Sequence, residues 1–337
     1  MTQKTTLKRT RWKQAGLEQA NQRIQTARHP LLICHVAPDG DAIGSLTGLG
    51  RALWQMGREP ILACPDPVPA RFNFLPGVET VVQEANDLFD LVISLDCSDL
   101  RRLGHFPETP GFSNHPLINI DHHLTNLNFG DVNLVDHQAA STTEIVLQLL
   151  EYMTVPLDAK LATCLLTGLV TDTRGFRTSN VTPHVMDAAL RLMKAGASLP
   201  YIAQHTLDRR PTGALRLWGA ALSQLHLTDG VIWASIPLAM RRSVDFVSNS
   251  DTGLVSFLAS ADDADVAVVF NEREDGRIEV GLRAMPGFDV AQVALQFGGG
   301  GHALASGCTI AGPLEAAQER FLTALYADLA RQRQERA

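Results

Sequence analysis

Four short apolar runs, at 31–36, 60–64, 90–95 and 116–120, recur through the first third of the chain. Each is rich in Leu, Ile and Val with little polar alternation, as expected of strands buried on both faces of a parallel sheet. Between the first two, residues 42–56 are apolar at helical spacing, and Gly57 stands near their end. This half of the chain therefore alternates strand and helix. A helical stretch follows. Ser141-Thr142-Thr143-Glu144 has capping-box spacing ahead of an apolar run to Tyr152. Pro156-Leu157-Asp158 opens a helix reaching Asp172, and Thr182-Pro183 opens another that ends near Gly196. Residues 197–217 are mixed helical, broken by the polar Asp208-Arg209-Arg210-Pro211. Beyond them the texture changes to strands at 231–236, 266–270 and 278–282 and helices at 249–261 and 289–297. Asp275-Gly276 between two apolar runs signals a hairpin. A glycine run, 298–301, reads as a turn leading into His302. The pattern predicts an α/β protein. A parallel-sheet domain spans 1–195, a linker 196–217, and a smaller α/β domain 218–337.

The bulk numbers narrow the class. A length of 337 residues suggests more than one core. Apolar content of 45% with 19% charged residues is ordinary for a globular protein. The longest apolar helix, 161–170, is interrupted by Thr163, Thr167 and Gly168. It is shorter than the ~18 residues that suggest a membrane span. A formal net charge of -7 argues against a broad basic face for long duplex nucleic acid. Phosphate substrates remain accessible to an acidic chain if metal ions reverse the local sign. Lys4, Lys8, Arg9, Arg11 and Lys13 precede no apolar segment, so they are not a secretory signal. They read as a polar lead-in to a first helix, with a weak nucleic-acid contact as the alternative. Five scattered cysteines (34, 64, 97, 164, 308) without a CxxC pair suggest reduced thiols and a cytoplasmic protein.

The candidate chemistry gathers at strand ends. His35, Asp39 and Asp41 follow the first run, Asp96 and Asp99 the third, and Asp121-His122-His123 the fourth. Ligands of open α/β sheets bind outside the carboxyl ends of strands. Taken singly, an Asp-Gly-Asp is a turn, Asp96 a helix cap, and Asp172 a solvated helix end. Two adjacent histidines beside a carboxylate are harder to bury without partners. Taken together, Asp39, Asp41, Asp96, Asp121 and Asp172 would repel one another in one cleft, and two divalent ions would relieve that. Carboxylate and imidazole donors without thiolates favour Mn2+ or Mg2+ over structural zinc. A two-metal centre suits phosphoryl chemistry, activating water and stabilising the leaving oxygen.

The ordered set HVAPDGDAIGS (35–45), LDCSD (95–99), IDHH (120–123) and TDTRGF (171–176) resembles the four signatures of the DHH phosphoesterase superfamily. GLRA (281–284) and GGGGHALASG (298–307) resemble the DHHA1 domain. The resemblance runs from about residue 15 to near the end, and is most similar to the bacterial nanoRNase/pAp phosphatase (NrnA) branch. It implies a DHH domain and a DHHA1 domain with the active-site cleft between them, two Mn2+ ions per site (Mg2+ or Co2+ as alternatives) and a homodimer. By motif position, His35 and Asp39 hold one ion, Asp41 and His122 the other. Asp96 bridges, and Asp172 completes the centre. His123 faces the scissile phosphate, and Asp121 orients a histidine. The glycines Gly299, Gly300 and Gly301, with His302 and Arg283, contact substrate phosphate or base, and Arg177 and Ser179 line the path. Two departures stand out: Thr173-Arg174-Gly175 where the family pattern continues Asp-Gly, and Ala284 where a serine usually follows the arginine.

The function implied is hydrolysis of very short oligoribonucleotides, two- to five-mers and linear dinucleotides such as pApA, to 5′-mononucleotides, and of pAp to AMP. A cyclic-dinucleotide (c-di-AMP) phosphodiesterase is an alternative. A RecJ-like single-strand exonuclease is disfavoured by the acidic chain and the lack of an added oligonucleotide-binding barrel. Family II pyrophosphatase is disfavoured by the GGGGH ending. A non-enzymatic nucleotide sensor would require loss of a ligand, and all six positions are present.

Overall fold

The computed structural model describes residues 3–86, 88–246 and 253–335. It divides into two compact units, Met1–Arg209 and Arg210–Ala337. The division falls within the polar break at 208–211.

The first unit is built on a five-stranded parallel sheet of order β2-β1-β3-β4-β5. Its strands are β1 (Pro30–Cys34), β2 (Ile61–Ala63), β3 (Leu91–Leu95), β4 (Leu117–Asp121) and β5 (Val132–Val135). Successive residues of β1 bury on opposite faces. Leu32 and Cys34 join Ile93, Leu95 and Ile120 in a large helical-side core. Leu31 and Ile33 join Val92, Phe89, Phe106 and Phe112 on the other side, beneath the short turns of 100–114. Burying such side chains contributes roughly 1.5–3 kcal/mol each, which is why these runs are continuous rather than alternating.

The helices of this unit are α1 (Gln3–Thr26), α2 (Gly40–Gln55), α3 (Thr142–Tyr152), α4 (Ala159–Asp172), α5 (Pro183–Lys194) and the short α6 (Leu199–Ala203). The basic side chains at positions 4–13 lie outside the described residues. The helix starts read at Ser141, Asp158 and Thr182 are capped, and Asp39 is found to cap α2 as well: the four side chains accept hydrogen bonds from first-turn amides of α3, α4, α5 and α2. Helices α2 and α4 nearly touch. A Cβ on Gly44 would lie 2.6 Å from the Cys164 carbonyl oxygen, and one on Gly40 would lie 2.4 Å from Thr171 Oγ1. Only glycine permits this approach, and it brings the start of α2 beside the end of α4. Among the described residues, no helix is long and apolar enough to cross a membrane.

The second unit has a mixed six-stranded sheet of order β10-β11-β9-β8-β7-β6. The strands are β6 (His226–Thr228), β7 (Val231–Ile236), β8 (Val266–Glu272), β9 (Arg277–Ala284), β10 (Gly300–His302) and β11 (Ala305–Ala311). Only the β7–β8 pairing is parallel; β8 and β9 form the hairpin signalled by Asp275-Gly276. Val268, Phe270, Val280 and Leu282 pack on one face against residues of α10 (Ala291–Gln296) and α11 (Leu314–Gln334), such as Val293, Phe321 and Leu325. On the other face, Ile232, Ala234 and Val269 pack with residues of α7 (Thr212–Leu222), α8 (Leu238–Ser243) and α9 (Leu254–Leu258).

Three readings need adjustment. The expected helix 249–261 is observed as α9 only; residues 249–252 lie outside the described residues. The glycine run is not a simple turn. Gly298 turns with φ +73°, but Gly300–His302 forms β10 and pairs antiparallel with β11. The strands β5, β6 and β11, the short helix α8 and the long helix α11 went unread.

Candidate metal centre

The order of the first sheet reverses between β1 and β3: the chain leaves β1 towards β2 and leaves β3 towards β4 and β5. Helices and loops diverge at such a switch point and leave a crevice outside the carboxyl ends. His35 follows β1 directly, and Asp96 follows β3. Because β1 and β3 are paired in register, Cys34 beside Leu95, the two side chains meet, with His35 Nε2 3.5 Å from Asp96 Oδ2. Asp96 has φ +58°, a left-handed conformation that strains a residue with a Cβ and is commonest at functional sites.

The Asp39-Gly40-Asp41 turn serves two purposes. Asp39 Oδ1 caps α2, accepting from the amides of Asp41 at 3.0 Å and Ala42 at 3.1 Å. Its role as a cap, the ordinary reading of such a turn, is thus real. It still leaves the carboxylate beside His35 and Asp96, and the three form a grouping with ligand atoms within 4.8 Å of one another. Asp41 points the other way and is fully buried. Its two oxygens accept from the first amides of α3, Thr142 at 2.5 Å and Thr143 at 3.0 Å. The positive end of the helix dipole suits a carboxylate there. Gly168 of α4 makes the room, since a Cβ on it would lie 2.5 Å from Asp41 Oδ1.

His122 brings the second grouping together, with Asp41 and Asp172. Its Nε2 stands 3.1 Å from Asp172 Oδ2, 3.7 Å from Asp96 Oδ1 and 3.9 Å from Asp41 Oδ2. Asp96, His122 and His123 make a third, so Asp96 belongs to two groupings, as a shared ligand must. All six residues assigned to metal by motif position converge here. Asp121 does not join them. It is fully buried, and its Oδ1 accepts from the His122 amide at 2.8 Å and from His123 Nδ1 at 2.7 Å. With Nδ1 so engaged, His123 Nε2 has no hydrogen-bond partner among the described residues.

The electrostatics describe a site short of positive charge. Burial, with Asp96 and Asp172 nearby, drives the Asp41 pKa well up, and burial raises Asp172. Asp96 goes the other way. Burial opposes its charge, but a hydrogen bond to His35 and the charges of His122, His35 and His123 hold its pKa far below the usual carboxylate range. Burial disfavours the charged ring of His122. The hydrogen bond to Asp172 and the charges of Asp96 and Asp41 outweigh that and raise it to about 11. Without metal, the positive charge among the grouped residues comes from protons on imidazoles, with the Arg102 guanidinium beside His35. Oxygen and imidazole donors with an excess of carboxylates fit divalent cations, which would replace those protons.

Other residues support the site without having been anticipated. Thr142 Oγ1 donates to Asp96 Oδ1 at 2.9 Å, so the capping box that starts α3 also holds two candidate ligands, Asp41 and Asp96. Arg102 Nη2 lies 3.0 Å from His35 Nδ1. Asn126 Nδ2 donates to Asp121 Oδ2 at 2.6 Å. Neutral polar residues in turns carry no sequence signal that separates them from ordinary caps. Asp99, in contrast, caps a short turn and pairs with exposed Arg101. Arg177 and Ser179 are exposed on the loop after α4, where Arg177 Nε donates to the Arg174 carbonyl at 2.7 Å. Neither belongs to the metal groupings. The intervening Arg174 has φ +52°.

In the second unit, Arg283 and Gly299 line a pocket of about 720 Å³ with Asn271, Glu279, Gly281 and Thr309. The alternation of β9 explains it: Ile278, Val280 and Leu282 are buried, which turns Glu279, Gly281 and Arg283 to the opposite face. That alternation was the signal for Glu279. Gly281 pairs with Gly307, which pairs with Gly300, so three strands contribute glycine to one row. Arg283, Ala305 and His302 form the adjoining row. His302 is exposed and, like Gly300 and Gly301, is not among the residues lining the pocket.

The model of the DHH family, N-terminal domain, matches residues 31–169, and that of the DHHA1 domain matches 246–330. The bifunctional oligoribonuclease and PAP phosphatase NrnA of Thermus thermophilus is 35% identical over 312 residues, covering 91% of this chain and 93% of the relative. The Bacillus subtilis protein of the same description is 29% identical over 296 residues, covering 82% and 87%. Among solved structures, an exopolyphosphatase-related protein from Bacteroides fragilis superposes with a TM-score of 0.89 at 24% identity, over 95% of this chain and 98% of that one. The exonuclease RecJ bound to manganese superposes at 0.51 with 15% identity, over 94% of each chain. These two likenesses concern the fold.

Proposed function

This chain belongs to the DHH family and is a metal-dependent phosphoesterase, and from that premise we propose that it hydrolyses very short oligoribonucleotides to 5′-mononucleotides and pAp to AMP. The observation that carries the reading is the convergence of three Asp/His groupings sharing Asp96 and His122 at one switch point. His35, Asp39 and Asp96 would hold one cation and Asp41, His122 and Asp172 the other, with Asp96 common to both. Mn2+ is the favoured ion, with Mg2+ or Co2+ as alternatives; RecJ, related in fold, is described with manganese. Bound there, divalent ions supply Lewis acidity to a phosphoryl oxygen and to the attacking water.

The protein's own part is to place groups around the reacting phosphate. His123, with Nδ1 tied to Asp121, presents Nε2 to donate a hydrogen bond to a phosphoryl oxygen or a proton to the leaving oxygen. Asp121 fixes that ring. Arg283 pairs with the substrate's second phosphate or stacks on a base. The glycine row at Gly299, Gly300 and Gly301, together with His302, lets backbone and imidazole come close to phosphate. Arg177 and Ser179 flank the substrate path from the loop after α4. The reading includes a homodimer in the cytoplasm, checked by sedimentation equilibrium and fractionation.

The test is a product time course with Mn2+ on end-labelled pApA, a five-mer, a 20-mer, pAp, c-di-AMP and pyrophosphate. Rapid loss of the two-mer and pAp with an intact 20-mer supports the proposal. Degradation of the 20-mer would make the protein an exonuclease, and selective opening of c-di-AMP a cyclic-dinucleotide phosphodiesterase. Full metal binding with no turnover would leave a nucleotide sensor.

A further inference from the structure

Behind the candidate metal centre lies a polar network that no ligand role accounts for. Asn126 sits in the loop after β4 with 8% of its surface exposed. Its amide is used completely. Nδ2 donates to Asp121 Oδ2 at 2.6 Å and to the Cys97 carbonyl at 3.1 Å. Oδ1 accepts from the Asn128 amide at 2.7 Å and from Asn119 Nδ2 at 3.0 Å. Two acceptors face one end and two donors the other, so only one orientation of the amide satisfies the set. Cys97 follows Asp96, and Asn119 lies on β4, so the anchor points are a strand and the strained turn of a ligand.

Asp121 needs this support. It is a fully buried carboxylate whose Oδ1 already serves the His122 amide and His123 Nδ1. Its Oδ2 takes its hydrogen bond from Asn126. Burying a carboxylate oxygen without a donor is costly. A carboxylate deprived of that donor turns to find another, and its other oxygen carries His123 with it. We propose that Asn126 is a positioning residue for the phosphoester hydrolysis, locking Asp121 so that the His123 ring is held in one orientation. It touches neither metal ligand side chains nor substrate, and acts through Asp121. The proposal rests on His123 acting on the phosphate, as argued above.

The test measures kcat and KM for pAp in metal-loaded enzyme, with bound metal counted, for Asn126→Ala and the near-isosteric Asn126→Asp, each alone and combined with His123→Ala. Residues that orient an active-site group typically contribute 10- to 100-fold. The expected result is a kcat lowered about 10- to 100-fold with KM and metal count unchanged, and no further loss once His123 is already Ala. An equal loss in the His123→Ala background, or a loss that follows metal content, overturns the proposal. If neither Asn126 variant folds, Asn119→Ala removes one donor to the same amide, and the same coupling to His123 decides. Wild-type activity in His123→Ala itself would instead overturn the role given to His123.

Discussion

The two sheets present polar groups by opposite means. In the first unit, chemistry sits at strand ends, where three buried carboxylates are held by hydrogen bonds from other elements: Asp41 by the start of α3, Asp96 by Thr142, Asp121 by Asn126. In the second, it sits on a sheet face, where glycines remove side chains and Arg283 and Glu279 stand around the space they leave. The first arrangement is built to bear concentrated charge at fixed points. The second is built to admit a guest. A bond-breaking centre tolerates little movement, whereas a binding surface works through shape and reach.

That contrast breaks most visibly at Asp96. Asp96→Ala should lower kcat/KM at least ~1,000-fold, because metal-assisted charge stabilisation is worth several kcal/mol and each ~1.4 kcal/mol is tenfold. Asp99→Ala, three residues on but paired only at the surface, should stay within about threefold. Steady-state kinetics on pAp with Mn2+ checks both, and equal losses would mean that the groupings do not define the centre.

Arg283→Ala should act on binding instead. A charge-assisted hydrogen bond contributes ~1.5–3 kcal/mol, so KM should rise about 10- to 100-fold while bound metal is unchanged. A fall in metal stoichiometry would contradict the separation of roles.

Glycines sharpen the comparison. A Cβ at Gly44 would meet backbone at 2.6 Å, whereas one at Gly281 meets only Val255 side-chain atoms at 3.7 Å or beyond. Gly44→Ala should therefore cost ~1–3 kcal/mol in urea unfolding. Gly281→Ala should remain within ~0.5 kcal/mol.

A separate test concerns pH. The folded-state pKa of His122 lies near 11, above its ordinary 6.5. Folded protein without metal thus holds an extra proton between these values. Its contribution to stability is fully present below about pH 6.5 and is lost as pH rises towards 11. The Tm of metal-free protein should fall from pH 7 to pH 10. Saturating divalent metal, which replaces the proton, should flatten that slope; parallel slopes would remove His122 from the metal site.

Much of this was legible beforehand, for reasons that differ by element. Strands β1, β3 and β4 were placed within one or two residues, since short runs buried on both faces admit few other readings. Helix caps were legible where Ser141, Asp158 and Thr182 stand three residues before the apolar periodicity settles; Asp39, read as part of a turn, was not among them. Strand β5, with only VNLV, and β11, with Ser306, Gly307 and Thr309 between its apolar positions, were too short or too polar to separate from loop. In the site, the Asp/His groupings were legible because His and Asp at strand ends have few ordinary uses in combination. Thr142 and Asn126 were not, because a hydroxyl or an amide in a turn looks the same whether it caps a helix or steadies a carboxylate.

By itself, the chain's order of residues determined which Asp and His side chains are candidates for metal, that they follow parallel strands, and that a second, smaller α/β domain follows. These depend on residue type and local periodicity. Tertiary structure decided the rest: that α2 and α4 approach closely enough at Gly44 for Asp41 and Asp172 to share His122, that the amides of α3 receive Asp41, and that Arg283 faces a row of glycines rather than the core. Each depends on the register and packing of segments distant in the chain, which no local pattern of residues specifies.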